Sequence, residues 1–258
     1  RVGVEVFSSG GLVLSWGQDH ETSAKVWDSA TGKTRCTLDR HSKVVSAAKV
    51  FPGGRKIATV SADRKAIVWN VSSCAPVHEI TYSGGLTAVS VLRGCGTVLA
   101  CSGDGLLVWN PFSGTQFLRT KLRGCTGVYV FPGDDRIITT TRIGMVVVSN
   151  GTSGEVLLAL VSPKERSIHG VSIGVGGDVF ATCGLHYVTV WDASSGAVLH
   201  TFDVQEARRI KRPYAGYSSP GVRWGICGVD LALGSALDPQ NFRANNMGHM
   251  IPPQHTER

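Results

Sequence analysis

The dipeptide Trp-Asp or Trp-Asn recurs along this chain at an almost constant interval. It begins at Trp27, Trp69, Trp109 and Trp191, and a degenerate copy begins at Ser149, so the intervals are 42, 40, 40 and 42 residues. A fixed interval of this size is typical of repeat architectures, in which each unit buries its apolar surface only against its neighbours. The period therefore predicts five similar units of about 40 residues.

Each unit contains four strand-length apolar segments separated by turn residues. In the second unit the predicted strands cover residues 44–51, 56–61, 66–69 and 77–81. Pro52-Gly53-Gly54 marks the first turn, and the triplet Ser61-Ala62-Asp63 marks the second. Strands this short cannot bury both faces of a sheet alone, so we expect four-stranded antiparallel sheets stacked face to face.

A glycine follows the Trp position by five residues in four of the units. These glycines are Gly32, Gly114, Gly154 and Gly196, and the second unit has Cys74 instead. We expect all five residues in the turn between the third and fourth strands, in a left-handed backbone that costs glycine little. A chain with 32 glycines and only 10 prolines fits an all-β protein with many tight turns.

The composition indicates a globular chain without a membrane-spanning segment or a cysteine pair of the kind that binds a metal. With 258 residues, 42% hydrophobic and 17% charged, the chain is predicted to be globular, and it has no apolar run of 18 residues that would span a membrane. The chain opens with Arg1 inside a predicted strand, which predicts that it is part of a longer polypeptide. The seven cysteines include no C-x-x-C pair, so buried thiols in a reducing compartment are expected, with no metal and no cofactor. They are Cys36, Cys74, Cys95, Cys101, Cys125, Cys183 and Cys227.

These units resemble the WD-repeat β-propellers, whose blades are four-stranded sheets around a central channel. The resemblance covers residues 1–205 and is strongest at His41, Ser61, Asp63 and Trp69. In the family, these positions form a structural tetrad in which the indole N–H and the hydroxyl link to the histidine, and the aspartate holds the histidine. The resemblance implies that the four side chains lock the second blade by satisfying buried polar groups.

The resemblance also implies how the chain divides. The expected blades are residues 1–40, 41–83, 84–123, 124–166 and 167–205. Residues 206–258 are expected to form a basic loop, a partial blade from residues 222–233 and an extended tail. Because seven blades are usual in the family, two further blades are expected before Arg1.

The other units depart from the tetrad pattern. The first has Asp19 but two extra residues before Trp27. The counterparts of Ser61, Asp63 and Trp69 are Ser102, Asp104 and Trp109 in the third unit, Thr141, Ile143 and Ser149 in the fourth, and Cys183, Leu185 and Trp191 in the fifth. Where the tetrad is lost, we expect the blade to rely on apolar packing.

Two patterns resemble catalytic or nucleotide sites. His41, Ser61 and Asp63 have the residue types of a hydrolase triad, but no nucleophile elbow or oxyanion loop accompanies them, so the structural tetrad is favoured. Thr31-Gly32-Lys33 and the Gly174–Gly177 stretch contain glycines, yet each precedes a strand and is expected to be a turn. The sequence therefore predicts no enzyme.

A basic run lies beyond the last repeat, at Arg208, Arg209, Lys211 and Arg212. A solvated loop is one interpretation, and docking to a polyanion is the other. The net charge of +7 and pI near 9.2 favour acidic partners without choosing among them. RNA and an acidic protein surface both remain open for this run.

The function expected from the resemblance and the charge is a non-enzymatic scaffold that holds other proteins in a large cytoplasmic assembly. The first hypothesis is a microtubule or ciliary (axonemal) complex, whose acidic tubulin tails suit a basic protein. The alternative is a component of a ribonucleoprotein in ribosome assembly or RNA processing, with basic loops on RNA. No membrane and no small-molecule substrate are expected.

Overall fold

The computed structural model describes residues 3–17, 21–92, 96–114, 116–120, 122–133 and 136–204. Within these ranges the chain forms twenty strands in five sheets, and each sheet is built from four consecutive antiparallel strands in chain order. This is the all-β architecture of stacked propeller blades that the repeat predicts, and the five described sheets form no closed ring. Each sheet lies inside one predicted unit, whose boundaries stay predictions.

The strands have the following bounds. Sheet one comprises β1 (Gly3–Val6), β2 (Leu12–Trp16), β3 (Ala24–Asp28) and β4 (Thr34–Leu38). Sheet two comprises β5 (Val45–Val50), β6 (Lys56–Ser61), β7 (Lys65–Asn70) and β8 (Pro76–Thr81). Sheet three comprises β9 (Leu86–Val91), β10 (Val98–Ser102), β11 (Gly105–Trp109) and β12 (Gln116–Thr120). Sheet four comprises β13 (Cys125–Val130), β14 (Arg136–Thr141), β15 (Met145–Asn150) and β16 (Val156–Val161), and sheet five comprises β17 (Gly170–Ile173), β18 (Val179–Cys183), β19 (Tyr187–Asp192) and β20 (Val198–Asp203).

The four strands predicted in the second unit are confirmed, with no boundary wrong by more than one residue. The central strands β6 and β7 are buried on both faces, which explains their continuous apolar runs. The outer strands β8 and β16 alternate instead between exposed and half-buried side chains. An inner sheet such as sheet two is therefore covered on both faces and exposed to solvent along its outer strand.

The core lies between the sheets. Four apolar clusters fill the junctions between sheets one and two, two and three, three and four, and four and five. At the first junction Leu14 and Val26 of sheet one pack with Ile57 and Trp69 of sheet two. Burying one such aliphatic side chain contributes about 1.5 to 3 kcal/mol, so stacking stabilises sheets that could not persist alone.

The residue after each Trp position shapes the turn between the third and fourth strands. Its side-chain Oδ1 accepts hydrogen bonds from the backbone N–H groups two and three residues later in all five described sheets. The residues are Asp28, Asn70, Asn110, Asn150 and Asp192. The same turns contain the predicted left-handed residues, with φ of 66° to 72° at the four glycines and 59° at Cys74. The expectation for these positions is confirmed, including the cysteine that replaces glycine.

The cysteines differ from the expectation of free thiols. The structure pairs Cys36 with Cys74 and Cys101 with Cys125 as disulfides, with Cα–Cα distances of 5.7 Å and 5.4 Å. Each pair joins two consecutive sheets, one and two or three and four. The sequence could not predict this pairing, because the partners stand 38 and 24 residues apart and meet only when the sheets stack. Cys95 and Cys227 lie outside the described residues.

Candidate functional site

The turn between β6 and β7 carries most of the residues singled out by the sequence. The Ser61 hydroxyl accepts a hydrogen bond from the Asp63 N–H at 3.1 Å and donates one to the Lys43 carbonyl at 3.0 Å. Asp63 Oδ1 accepts from the Lys65 N–H at 2.9 Å. Ser61 therefore shapes the turn and ties it to the strand entering the sheet.

A buried hydrogen-bond network runs beneath this turn. The Trp69 indole N–H donates to Thr59 Oγ1 at 2.8 Å, and Thr59 Oγ1 lies 2.8 Å from His41 Nε2. His41 Nδ1 lies 2.9 Å from Asp63 Oδ2, which also accepts from the Ser42 N–H at 3.0 Å. Because the Asp63 carboxylate only accepts, His41 Nδ1 donates to it, and Nε2 of the neutral imidazole then accepts the proton of the Thr59 hydroxyl.

The charges in this network follow from its burial. Desolvation lowers the pKa of His41 below its ordinary value, although hydrogen bonding to Asp63 opposes the shift. For Asp63, desolvation raises the pKa, but hydrogen bonds from the Lys65 and Ser42 amides and from His41 outweigh it, so the net shift is downward. The pair is therefore a neutral imidazole beside a carboxylate, and each polar side-chain atom of this network has a hydrogen-bond partner.

The structure corrects one member of the predicted tetrad. It joins His41, Asp63 and Trp69, but the hydroxyl between the indole and the imidazole belongs to Thr59 and not to Ser61. Both side chains are fully buried and share the face of β6 that carries the network. Trp69 is paired across the sheet with Ile57, and its indole bonds the hydroxyl two residues further along β6, which is Thr59.

The same geometry opposes the hydrolase hypothesis. The hydrogen bonds of Ser61 go to backbone groups, while His41 Nε2 is occupied by Thr59. The side chains of His41 and Asp63 are 0% and 3% exposed, so no substrate reaches them in this structure. The arrangement holds the sheet together and offers no open nucleophile.

Two further sheets repeat the bond between indole and hydroxyl. Trp27 Nε1 donates to Ser15 at 2.8 Å in sheet one, and Trp191 Nε1 donates to Thr182 at 2.9 Å in sheet five. Asp19, the predicted aspartate of the first unit, lies outside the described residues. The repeated element of this chain is therefore the Trp-hydroxyl pair, which sheet two extends to His41 and Asp63.

Sheets three and four each keep one half of the pair. In sheet three the hydroxyl position is occupied by Ala100, and the buried Trp109 Nε1 has no hydrogen-bond partner among the described residues. In sheet four the Trp position is occupied by Ser149, and the buried hydroxyl of Thr139 is likewise without a partner in the described part of the chain. Sheets one and five also depart from the tetrad pattern and still keep the pair, so loss of the tetrad alone does not predict loss of the Trp-hydroxyl bond.

The remaining candidate motifs are turns or fall outside the structure. Gly32 lies in the turn between β3 and β4, and the Gly177 N–H donates to the Gly174 carbonyl at 2.9 Å in the turn between β17 and β18. Both glycine motifs are therefore hairpin turns, as predicted. The basic run of Arg208, Arg209, Lys211 and Arg212 and the predicted strand at residues 222–233 lie outside the described residues.

The described ranges contain neither a metal-binding cluster nor a helix that could span a membrane. No group of three His, Cys, Asp or Glu side chains there is placed to hold a metal ion. None of the described segments is a helix with the length and apolar character that crossing a bilayer requires.

Similarity to known proteins covers part of the chain. No profile of a known protein family matches it. It is 29% identical over 105 residues to the U3 small nucleolar RNA-associated protein 15 homolog of Homo sapiens, a stretch covering 40% of this chain and 20% of that protein. It is 28% identical over 104 residues to apoptotic protease-activating factor 1 of Homo sapiens, covering 40% of this chain and 8% of that protein. The chain thus matches a fifth or less of the length of these relatives.

Both relatives are WD-repeat proteins, which agrees with the all-β stack of four-stranded sheets. Their names describe unlike roles, one associated with an RNA and one activating a protease. A stretch of sequence shared by proteins of unlike roles indicates a common fold, and it does not by itself indicate a common activity.

Proposed function

We propose that this chain is a non-enzymatic WD-repeat scaffold that holds protein partners within a ribonucleoprotein assembly. The observation that carries the proposal is the similarity to the U3 small nucleolar RNA-associated protein 15 homolog, together with a net charge of +7. The buried network of sheet two supports a non-enzymatic role, because its His, Asp and Thr side chains are hydrogen-bonded to one another. The stacked sheets supply rigidity, and the exposed loops supply specificity.

The relatives favour the ribonucleoprotein alternative over the microtubule or ciliary hypothesis. One relative is named for its association with an RNA, while neither name refers to tubulin or to a cilium. The cytoplasmic location expected from the sequence likewise has no support from these names. Contact with RNA would come from cations such as those of the run at residues 208–212.

The test is binding of the full chain to total RNA and to polymerised microtubules as the salt concentration rises. If Arg208, Arg209, Lys211 and Arg212 all meet phosphates, the slope of log affinity against log salt is about −3 to −4. The double variant Arg208→Glu/Arg212→Glu should flatten that slope and weaken binding.

A matched control carries the same change of charge elsewhere. Lys33 and Arg55 are exposed in hairpin turns, so Lys33→Glu/Arg55→Glu alters net charge equally. Equal weakening by both double variants would mean that RNA responds only to overall charge. Retention on microtubules without RNA binding would overturn the proposal in favour of the first hypothesis.

A further inference from the structure

A groove lies where the turn between β14 and β15 meets the loop between β16 and β17. Its volume is about 670 Å³, within the range of about 300 to 1,000 Å³ that ligand sites occupy. Its main lining residues are Arg142, Ile143, Val161, Pro163, Lys164 and Arg166. We call this site the basic groove.

The inward orientation of Glu165 fixes one wall of the basic groove. Glu165 is only 8% exposed, and its Oε1 accepts hydrogen bonds from the backbone N–H groups of His186 and Tyr187 in sheet five. With this carboxylate turned into the protein, the residues on either side, Lys164 and Arg166, are exposed. The burial of Glu165 thus leaves the side chains of Lys164 and Arg166 facing solvent.

Two glycines let the turns on either side approach the loop closely. Gly144 has φ of 78°, and a Cβ there would lie 2.5 Å from the Glu165 carbonyl oxygen. A Cβ at Gly184 would lie 2.3 Å from the Glu165 carboxyl carbon. The Ser162 N–H also donates to the Gly144 carbonyl at 3.1 Å. The wall is therefore held in place before any ligand arrives, which lowers the entropy lost on binding.

The basic groove carries a net positive charge, because three cations and one carboxylate line it. Arg142, Lys164 and Arg166 are exposed, and no ion pair to them occurs in the described part of the chain. The carboxylate of Glu165, which lies between two of them in sequence, is already satisfied by backbone donors. Lys164 Nζ lies 5.0 Å from the centre of the Tyr187 ring, a cation–π contact that orients the ammonium.

Aliphatic side chains lie between these cations. Ile143 is 70% exposed and Val161 is 65% exposed. Ile143 stands where sheet two has Asp63, so the loss of the network in sheet four leaves an apolar side chain at the surface. A ligand that fits must therefore supply both carboxylates and aliphatic groups.

We infer that the basic groove binds an acidic peptide segment of a protein partner, in which carboxylates alternate with aliphatic residues. Its carboxylates would pair with the three cations, and its aliphatic side chains would cover Ile143 and Val161. RNA is a poorer fit, because the described lining residues include no aromatic ring on which a base could stack, and Tyr187, which contacts Lys164, is not among them. The inference rests on the proposed scaffold function, for which it names a class of partner.

The experiment measures fluorescence anisotropy of a labelled synthetic peptide, Gly-Glu-Leu-Glu-Leu-Asp-Leu-Gly, titrated with the full chain. Two control peptides replace either the acids by Gln and Asn or the leucines by Ser. We expect Lys164→Glu/Arg166→Glu to weaken binding about tenfold or more, since two attractions become repulsions. Ile143→Ser should weaken it about fivefold through lost apolar burial.

The control variant is Lys33→Glu/Arg55→Glu, which changes net charge equally and should leave peptide binding within about twofold. Equal loss in both double variants overturns the inference, because only overall charge would then matter. Equal binding of either control peptide also overturns it. A uridine oligonucleotide that displaces the peptide, and whose binding is lost in Lys164→Glu/Arg166→Glu, assigns the groove to RNA instead. RNA binding that depends on Arg208 and Arg212 is measured separately, so failure here leaves the proposed function testable.

Discussion

Replacing threonine by valine should have opposite effects in sheets two and four, although the two positions are structurally equivalent. Thr59→Val leaves the buried Trp69 N–H and the buried His41 Nε2 without the hydroxyl that lies 2.8 Å from each. Each unsatisfied group costs about 1 to 3 kcal/mol, so the loss of the partner for both groups should lower the free energy of unfolding by about 2 to 6 kcal/mol. Thr139→Val removes a buried hydroxyl that has no partner in the described part of the chain, so it should stabilise the protein by about 1 kcal/mol.

The assay is urea denaturation of the full chain, monitored by tryptophan fluorescence and far-UV circular dichroism. The variants are compared by their midpoints, provided that the dependence of the unfolding free energy on urea concentration (the m value) is the same as in the parent protein. A double-mutant cycle with Trp69→Phe separates the hydrogen bond from general packing, because the cost of Thr59→Val should shrink once the indole N–H is gone. Two substitutions that destabilise equally would refute the reasoning. A neutral Thr59→Val would refute it as well.

Three further outcomes follow from the same structure. Ala100→Thr should be about 1 kcal/mol more stable than the equally bulky Ala100→Val, since only the hydroxyl can accept from the Trp109 N–H; urea midpoints of the two variants check this. The lowered pKa of His41 means that its contribution to stability is complete above pH 6.5 and is lost as pH falls below that value; denaturation from pH 7.5 to 5 should show the loss, and His41→Asn should reduce it. Reduction with dithiothreitol should destabilise the oxidised protein. The variant Cys36→Ser/Cys74→Ser should lower the free energy of unfolding by about 4 kcal/mol, because the disulfide closes a loop of 38 residues. Peptide mapping without reductant is the control that shows the disulfide to be formed.

The strands and turns could be predicted because their causes are local. Alternating or continuous apolar residues determine which faces are buried, and the Asp or Asn after each Trp position binds amides only two and three residues away. The left-handed position of Cys74 was predictable from its place in the period, despite its side chain. Such features need no knowledge of the neighbouring sheet.

The features that escaped prediction depend on distance in space. Thr59 and Ser61 share a strand face, and choosing between them requires the reach of the Trp69 indole across the sheet. A hydroxyl residue recurs at the equivalent position of the second strand in four of the five sheets, at Ser15, Thr59, Thr139 and Thr182, and Ala100 replaces it in sheet three. This recurrence was a usable signal, because polar residues are uncommon within such apolar strands. The basic groove joins residues from two separate segments, the turn at Arg142 and the loop at Arg166, which come together only after folding.

The two disulfides make some junctions between the sheets more resistant to mechanical force than others. Covalent links join sheet one to sheet two through Cys36 and Cys74, and sheet three to sheet four through Cys101 and Cys125. In the described chain, no disulfide crosses the junction between sheets two and three or between sheets four and five. Under tension between its ends, the oxidised stack should therefore part first at these two junctions, while the chain inside each covalent loop cannot lengthen. A reductant would free the residues enclosed by each disulfide to extend. The redox state of the surroundings therefore sets the maximum length to which the protein can be stretched.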